Sequence, residues 1–266
     1  MIVDGKGLAR EILEGIRTQI DALGVQLQLA AVCVEGDAAL TSFVRLKQKA
    51  AQSIGIQFSS YFVGSKERAE ETLKFLAADP DVHGILLELP IPDAWDRNAL
   101  LALIPPDKDV DALNPENEGA FEDSTTTVLP PAVVALRYAL DTYTIPCAGA
   151  RAAVIGAGQL IGRPVAHWLR QQGASVDVVD IDTPNPQRIV AAADIVVSGA
   201  GAPGLVTGAW IKEGAAVFDF GFHEGKGDVD LTSVQPKAGV LAKVPGGMGP
   251  LVVAAVLENL VALATK

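Results

Sequence analysis

Val154-Ile155-Gly156-Ala157-Gly158-Gln159-Leu160-Ile161-Gly162-Arg163-Pro164 decides the fold class of this 266-residue chain. The apolar run entering it, from Ala152, reads as a buried strand, and residues 160–171 read as a helix. Between them, glycines at 156, 158 and 162 form GxGxxxG, one residue longer than the common dinucleotide fingerprint. The physical logic is unchanged by the extra residue. Small residues let the backbone approach a pyrophosphate, and a helix N-terminus presents amides and a positive dipole end.

Downstream, residues 175–180 read as the next strand and end at Asp180, where an acid commonly binds the adenosine ribose hydroxyls. A carboxylate there repels a 2′-phosphate, so NAD is favoured over NADP. Residues 195–199 form a further strand, and the glycines of Ser198-Gly199-Ala200-Gly201-Ala202-Pro203 line the nicotinamide-proximal groove. Strands at 216–219 and 239–243 and a helix at 130–143 complete this half.

The N-terminal half alternates in the same way. Helices are expected at 7–23, 41–54, 66–77 and 97–104, and strands at 27–34, 57–63 and 84–89. Residues 114–127 read as polar and irregular, and 251–265 as a strongly apolar helix. The pattern predicts an α/β protein with a boundary near 115–125.

Composition narrows the function. Twenty-one Lys and Arg against 32 Asp and Glu give a net charge of −11, which argues against nucleic acid or a polybasic membrane patch as partner. Cys33 and Cys147 form no CxxC pair, so neither a disulfide framework nor a metal site is expected. Asp, Glu, Gly or Pro interrupts each apolar run short of a membrane span, and Met1-Ile2-Val3-Asp4-Gly5-Lys6 has no signal-like region, which predicts a cytoplasmic protein. None of His83, His167 and His223 stands in a convincing catalytic setting.

Several further segments carry a resemblance. Gly84-Ile85-Leu86-Leu87-Glu88-Leu89-Pro90-Ile91-Pro92 is similar to GILVQLPLP, and Lys108-Asp109-Val110-Asp111 to KDVDG. Val244-Pro245-Gly246-Gly247-Met248-Gly249-Pro250 is similar to VPGGVGPMT, the most specific match. Phe43-Val44-Arg45-Leu46-Lys47-Gln48-Lys49-Ala50 resembles YVxxKxKA, and the Gly227-Asp228-Val229-Asp230 stretch resembles GDVD. Taken in chain order the motifs resemble, from end to end, the methylenetetrahydrofolate dehydrogenase/cyclohydrolase family.

The resemblance implies a fold and an activity. The fold is an N-terminal α/β catalytic domain (1–120) completed by a C-terminal helix (251–266) that returns to it, plus a Rossmann-like dinucleotide-binding domain (121–250). The activity is oxidation of 5,10-methylenetetrahydrofolate with NAD or NADP, then hydrolysis of the methenyl product to 10-formyltetrahydrofolate, in a homodimer that needs no metal. Lys47 corresponds to the catalytic lysine and Asp111 to the aspartate that holds the pterin. Pro245, Gly246 and Gly247 supply a wall and backbone amides near the folate; Gly156, Ala157, Gly158, Gly162, Asp180, Gly199 and Ala200 form the cofactor set.

Departures from the family pattern fall on the chemistry. Phe43 replaces a tyrosine and keeps the ring but loses the hydroxyl. Glu88 replaces a glutamine, so an ion pair with Lys47 is expected to raise the lysine pKa, opposing its use as a neutral base, unless Glu88 itself takes over as base. Leu129-Pro130-Pro131-Ala132 stands where the family has PCTP. Ala157-Gly158 and Ile181 stand where it has an Arg-Ser pair and a serine, which removes partners for a 2′-phosphate. A monofunctional dehydrogenase or hydrolase, and a silent folate- or nucleotide-binding relative, stay open as alternatives.

Overall fold

The computed structural model describes residues 1–36 and 38–265, with side chains throughout except at 38–40; residue 266 of the expected C-terminal helix lies outside the described residues. The chain forms two compact units. One comprises Arg10–Pro131 with the chain from Val253 on, the other Met1–Ala9 with Ala132–Val252. In chain order the elements leading through the first unit are α1 (Gly5–Leu23), β1 (Gln28–Val34), α2 (Ala38–Ser53), β2 (Gln57–Val63), α3 (Lys66–Ala78), β3 (Gly84–Leu87), α4 (Arg97–Leu101) and α5 (Pro115–Glu122). Then follow α6 (Pro131–Thr142), β4 (Arg151–Ile155), α7 (Gly162–Gln171), β5 (Ser175–Val179), α8 (Pro186–Val190), β6 (Ile195–Ser198), β7 (Ala216–Asp219), α9 (Leu231–Val234), β8 (Val240–Ala242) and α10 (Met248–Ala264).

The first unit is built on a parallel sheet in the order β2-β1-β3. Its central strand is apolar on both faces because both are covered. Leu29, Ala31 and Cys33 pack with residues of α1, α2 and α10, while Ala30 and Val32 pack with Leu73 and Leu76 of α3 and with α4. The C-terminal part of α10 therefore belongs to this core, through Val256, Leu257, Leu260 and Val261. Asn259 fixes it there by donating from Nδ2 to the carbonyls of Val110 (2.8 Å) and Leu129 (2.9 Å).

The stretch expected to be irregular contains α5. Asn114 caps it by accepting from Glu116 N–H at 2.7 Å, with Pro115 at the first position. Its sequence, PENEGAFE, buries only Phe121, so it lacks the apolar stripe by which helices are read. Strand β3 also stops at Leu87, earlier than the expected 89, with Glu88 still bonded to β1 through its N–H.

The second unit is a five-stranded parallel sheet in the order β5-β4-β6-β7-β8. The chain runs outward from β4 to β5 and then returns to the other side of β4 with β6. This reversal makes the ends of β4 and β6 a topological switch point, where ligands of open α/β sheets bind. The N-terminus adds a short parallel bridge at the far edge: Val3 N–H donates to the Leu241 carbonyl and Leu241 N–H to that of Met1, both at 2.9 Å. No helix among the described residues is long and apolar enough to cross a membrane.

Candidate active site

In the first unit, α2 carries Phe43 and Lys47 one turn apart and therefore on one face. Glu88 follows β3, held by its own N–H on the Val32 carbonyl at 2.9 Å. Its Oε1 accepts from Lys47 Nζ at 2.7 Å, with the side chains only 13% and 6% exposed. Burial alone would lower the Lys47 pKa, but Glu88, and then Asp111, outweigh it and raise it. Lys47 is accordingly an ammonium at neutral pH. Cys33, on the neighbouring strand, is pushed up to about 12, by burial first and by Glu88 second, and stays a thiol.

The 108–111 segment shows how each residue of a short motif is used. Lys108 donates to the carbonyls of Ala77 (3.1 Å) and Asp79 (2.6 Å), closing the end of α3. Buried Asp109 accepts from Asn114 N–H at 2.7 Å and Asn117 Nδ2 at 2.9 Å, anchoring the start of α5. The segment is held beside β3 by a parallel bridge between Ile85 and Asp109. Asp111 is left half-buried within the field of Lys47 and Glu88. Its carboxyl is pushed up to about 7, by burial first, with Lys47 acting against the shift and Glu88 and Asp109 adding to it. Two acid side chains thus share the field of one ammonium.

In the second unit the glycines are required by close approach. Gly156 adopts φ +94°, and a Cβ on it would lie 2.8 Å from the Gly199 carbonyl oxygen. A Cβ on Gly162, the first residue of α7, would overlap the Gly156 carbonyl oxygen. The loops after β4 and β6 therefore pack backbone on backbone. Gly158, by contrast, faces open space, and Ala157 and Gly158 are exposed beside a helix start that carries no side-chain cap. This cradle fits the diphosphate of a dinucleotide.

Asp180 lies exposed just past β5 and accepts from Thr183 Oγ1 at 2.6 Å and Asp182 N–H at 3.1 Å. The Thr183 bond, foremost, holds its carboxyl below the usual range. Ile181 beside it is 99% exposed. Gly199 and Ala200 begin the loop after β6, opposite the Gly156 turn. Pro245, Gly246 and Gly247 lie in the same unit, after β8; Gly246 has φ +97°, Gly247 N–H donates to the Lys243 carbonyl at 2.8 Å, and a Cβ on Gly5 would overlap the Gly247 carbonyl. Among the described residues no group of three or more His, Cys, Asp or Glu is placed to hold a metal ion.

Residues 3–111 match the catalytic domain of tetrahydrofolate dehydrogenase/cyclohydrolase, and residues 130–266 match its NAD(P)-binding domain. The chain belongs to the tetrahydrofolate dehydrogenase/cyclohydrolase family. The bifunctional protein FolD of Methanosarcina mazei is 34% identical over 276 aligned positions, covering 100% of this chain and 96% of that protein. Among solved structures, the bifunctional FolD of Campylobacter jejuni superposes with a TM-score of 0.94 at 32% identity, covering 100% and 98% of the two chains. The Trypanosoma brucei FolD, solved with NADP and an inhibitor, gives 0.95 at 32% identity, covering 100% and 97%. This member of the family is thus an enzyme that takes a nicotinamide cofactor.

Two acids of the cofactor unit drew no notice as site residues in the sequence, Asp219 and Asp228. Both are 1% exposed and both bind loop backbone at the strand ends. Only Asp228 falls in the GDVD-like stretch; Asp219 ends β7 outside any motif.

Proposed function

We propose that this family member oxidises 5,10-methylenetetrahydrofolate to the methenyl form with NAD as preferred hydride acceptor, and hydrolyses the methenyl form to 10-formyltetrahydrofolate more slowly. The observation that carries this balance is the Lys47–Glu88 ion pair at 2.7 Å beside Asp111. Loss of a hydride turns the neutral methylene carbon into a cationic methenyl group. Glu88 together with ionised Asp111, set against one ammonium, favours that cation, and preorganised charge of this sort acts on the transition state leading to it. The same charges oppose hydrolysis. A stabilised cation is a poorer electrophile, and an ammonium Lys47 has no lone pair with which to take a proton from water. Asp111, as carboxylate, accepts a pair of pterin N–H donors, and the Phe43 ring supplies a stacking face without a hydroxyl.

For the cofactor, the bound nicotinamide supplies the hydride acceptor. Asp180 accepts ribose hydroxyls and repels a 2′-phosphate, and Ala157-Gly158 offers no cation to receive one. The enzyme is read as a cytoplasmic homodimer, which sedimentation equilibrium checks by mass. The test of the balance is decay of methenyltetrahydrofolate without nucleotide, wild type against Glu88→Gln. The variant is expected to hydrolyse it several-fold faster, while methylene oxidation stays the same or falls. Unchanged or slower hydrolysis would overturn the inhibitory role of Glu88.

A further inference from the structure

Behind the loop that follows β6 lie two buried carboxylates locked to the backbone. Asp228 accepts from Ser198 Oγ, Ala200 N–H and Ala202 N–H, each at 2.7 Å. Asp219, at the end of β7 and register partner of Ser198, accepts from Gly221 N–H (2.9 Å), Asp228 N–H (3.1 Å) and Val229 N–H (3.0 Å). The arrangement leaves no slack. A Cβ on Gly221 would overlap the Asp228 carboxylate, and one on Gly227 would overlap that of Asp219.

The two loops at the switch point are therefore opposite in character. The turn after β4 exposes Ala157 and Gly158 at the start of α7, a positive helix end. In the loop after β6, the amide hydrogens of Ala200 and Ala202 are turned inward and consumed by Asp228. Those two amides are not available to a phosphate, and the Asp228 carboxyl group lies immediately behind them. A dinucleotide has an anionic centre and, when oxidised, one cationic ring.

We propose that Asp228, seated by Asp219, is a positioning residue that directs the nicotinamide end of the dinucleotide to the 199–202 loop and favours its oxidised, cationic form over the reduced one. The inference rests on the reading that this loop lines the cofactor groove. It goes beyond holding a loop still: removing the charge changes the ratio of the two affinities.

The test is titration calorimetry on the full chain with the oxidised and reduced forms of whichever cofactor the wild type turns over. Asp228→Asn is expected to weaken the oxidised form by roughly tenfold more than the reduced form, the scale of one unit charge acting through a partly screened medium. Ser198→Ala, which removes a donor but keeps the charge, is expected to leave that ratio unchanged. Should Asp228→Asn not fold, Asp219→Asn is expected to shift the ratio in the same direction by less. Equal weakening of both forms, or no weakening, would reduce Asp228 to packing and overturn the proposal. Failure of the wild type to bind either form would instead overturn the underlying reading of the groove.

Discussion

At the residue scale, Glu88 sets the behaviour of its neighbours. The Asp111 carboxyl is pushed up to about 7, chiefly by burial, with Lys47 acting against the shift and Glu88 adding to it. On the proposed role of Asp111 its ionised form accepts the pterin N–H groups, so the folate KM is expected to fall as the pH rises through about 7. Glu88→Gln removes a negative neighbour and is expected to move that midpoint to lower pH; an unmoved midpoint would show that the two acids are uncoupled. That Lys47, Glu88 and Asp111 come together was legible in the sequence through the resemblance of their motifs to those of the family. Asp219 and Asp228 were not. Asp219 binds only backbone amides and Asp228 adds a single serine hydroxyl, so neither leaves a spaced set of partner residues to be recognised.

Among the elements, the strand-turn-helix at 151–171 was legible because two of its glycines, Gly156 and Gly162, answer a steric demand that only the lack of a side chain can meet. Its three glycines are nonetheless expected to behave differently. Gly162→Ala would drive a methyl group into the Gly156 carbonyl and is expected to cost roughly 1–3 kcal/mol, read as a lowered Tm. Gly158→Ala meets nothing within 4 Å and is expected to leave Tm unchanged. It would still stand between the backbone and a phosphate, raising the cofactor KM by roughly tenfold, the equivalent of about 1.4 kcal/mol, with methenyl hydrolysis untouched. A drop in Tm for Gly158→Ala, without a cofactor effect, would relocate the diphosphate. Helix α5 was illegible for the converse reason, since its stability comes from the Asn114 cap and the Asp109 anchor rather than from an apolar face.

For the whole molecule, acid groups with raised pKa values set the pH response. Asp111 at about 7 and Asp219 at about 6 bind protons more tightly folded than unfolded, so between the ordinary value near 4 and those values the native state holds more protons. Stability from these two groups is therefore greatest at the acid end of that window and declines as the pH rises, by about 1.4 kcal/mol for each tenfold gain in proton affinity. Asp180 and Asp194 act in the opposite sense, but both are solvent-exposed or nearly so, where screening leaves little effect. The net charge of −11 adds repulsion in the same direction. Thermal unfolding is expected at a higher Tm near pH 5 than near pH 8, and the reverse order would mean that Asp111 and Asp219 are ordinary acids. The central claim is tested most directly by oxidation of 5,10-methylenetetrahydrofolate by the purified protein, with NAD and NADP compared side by side and the acid-stabilised methenyl product quantified. Turnover with NAD clearly ahead of NADP is the expected result; absence of turnover with both nucleotides would contradict the account.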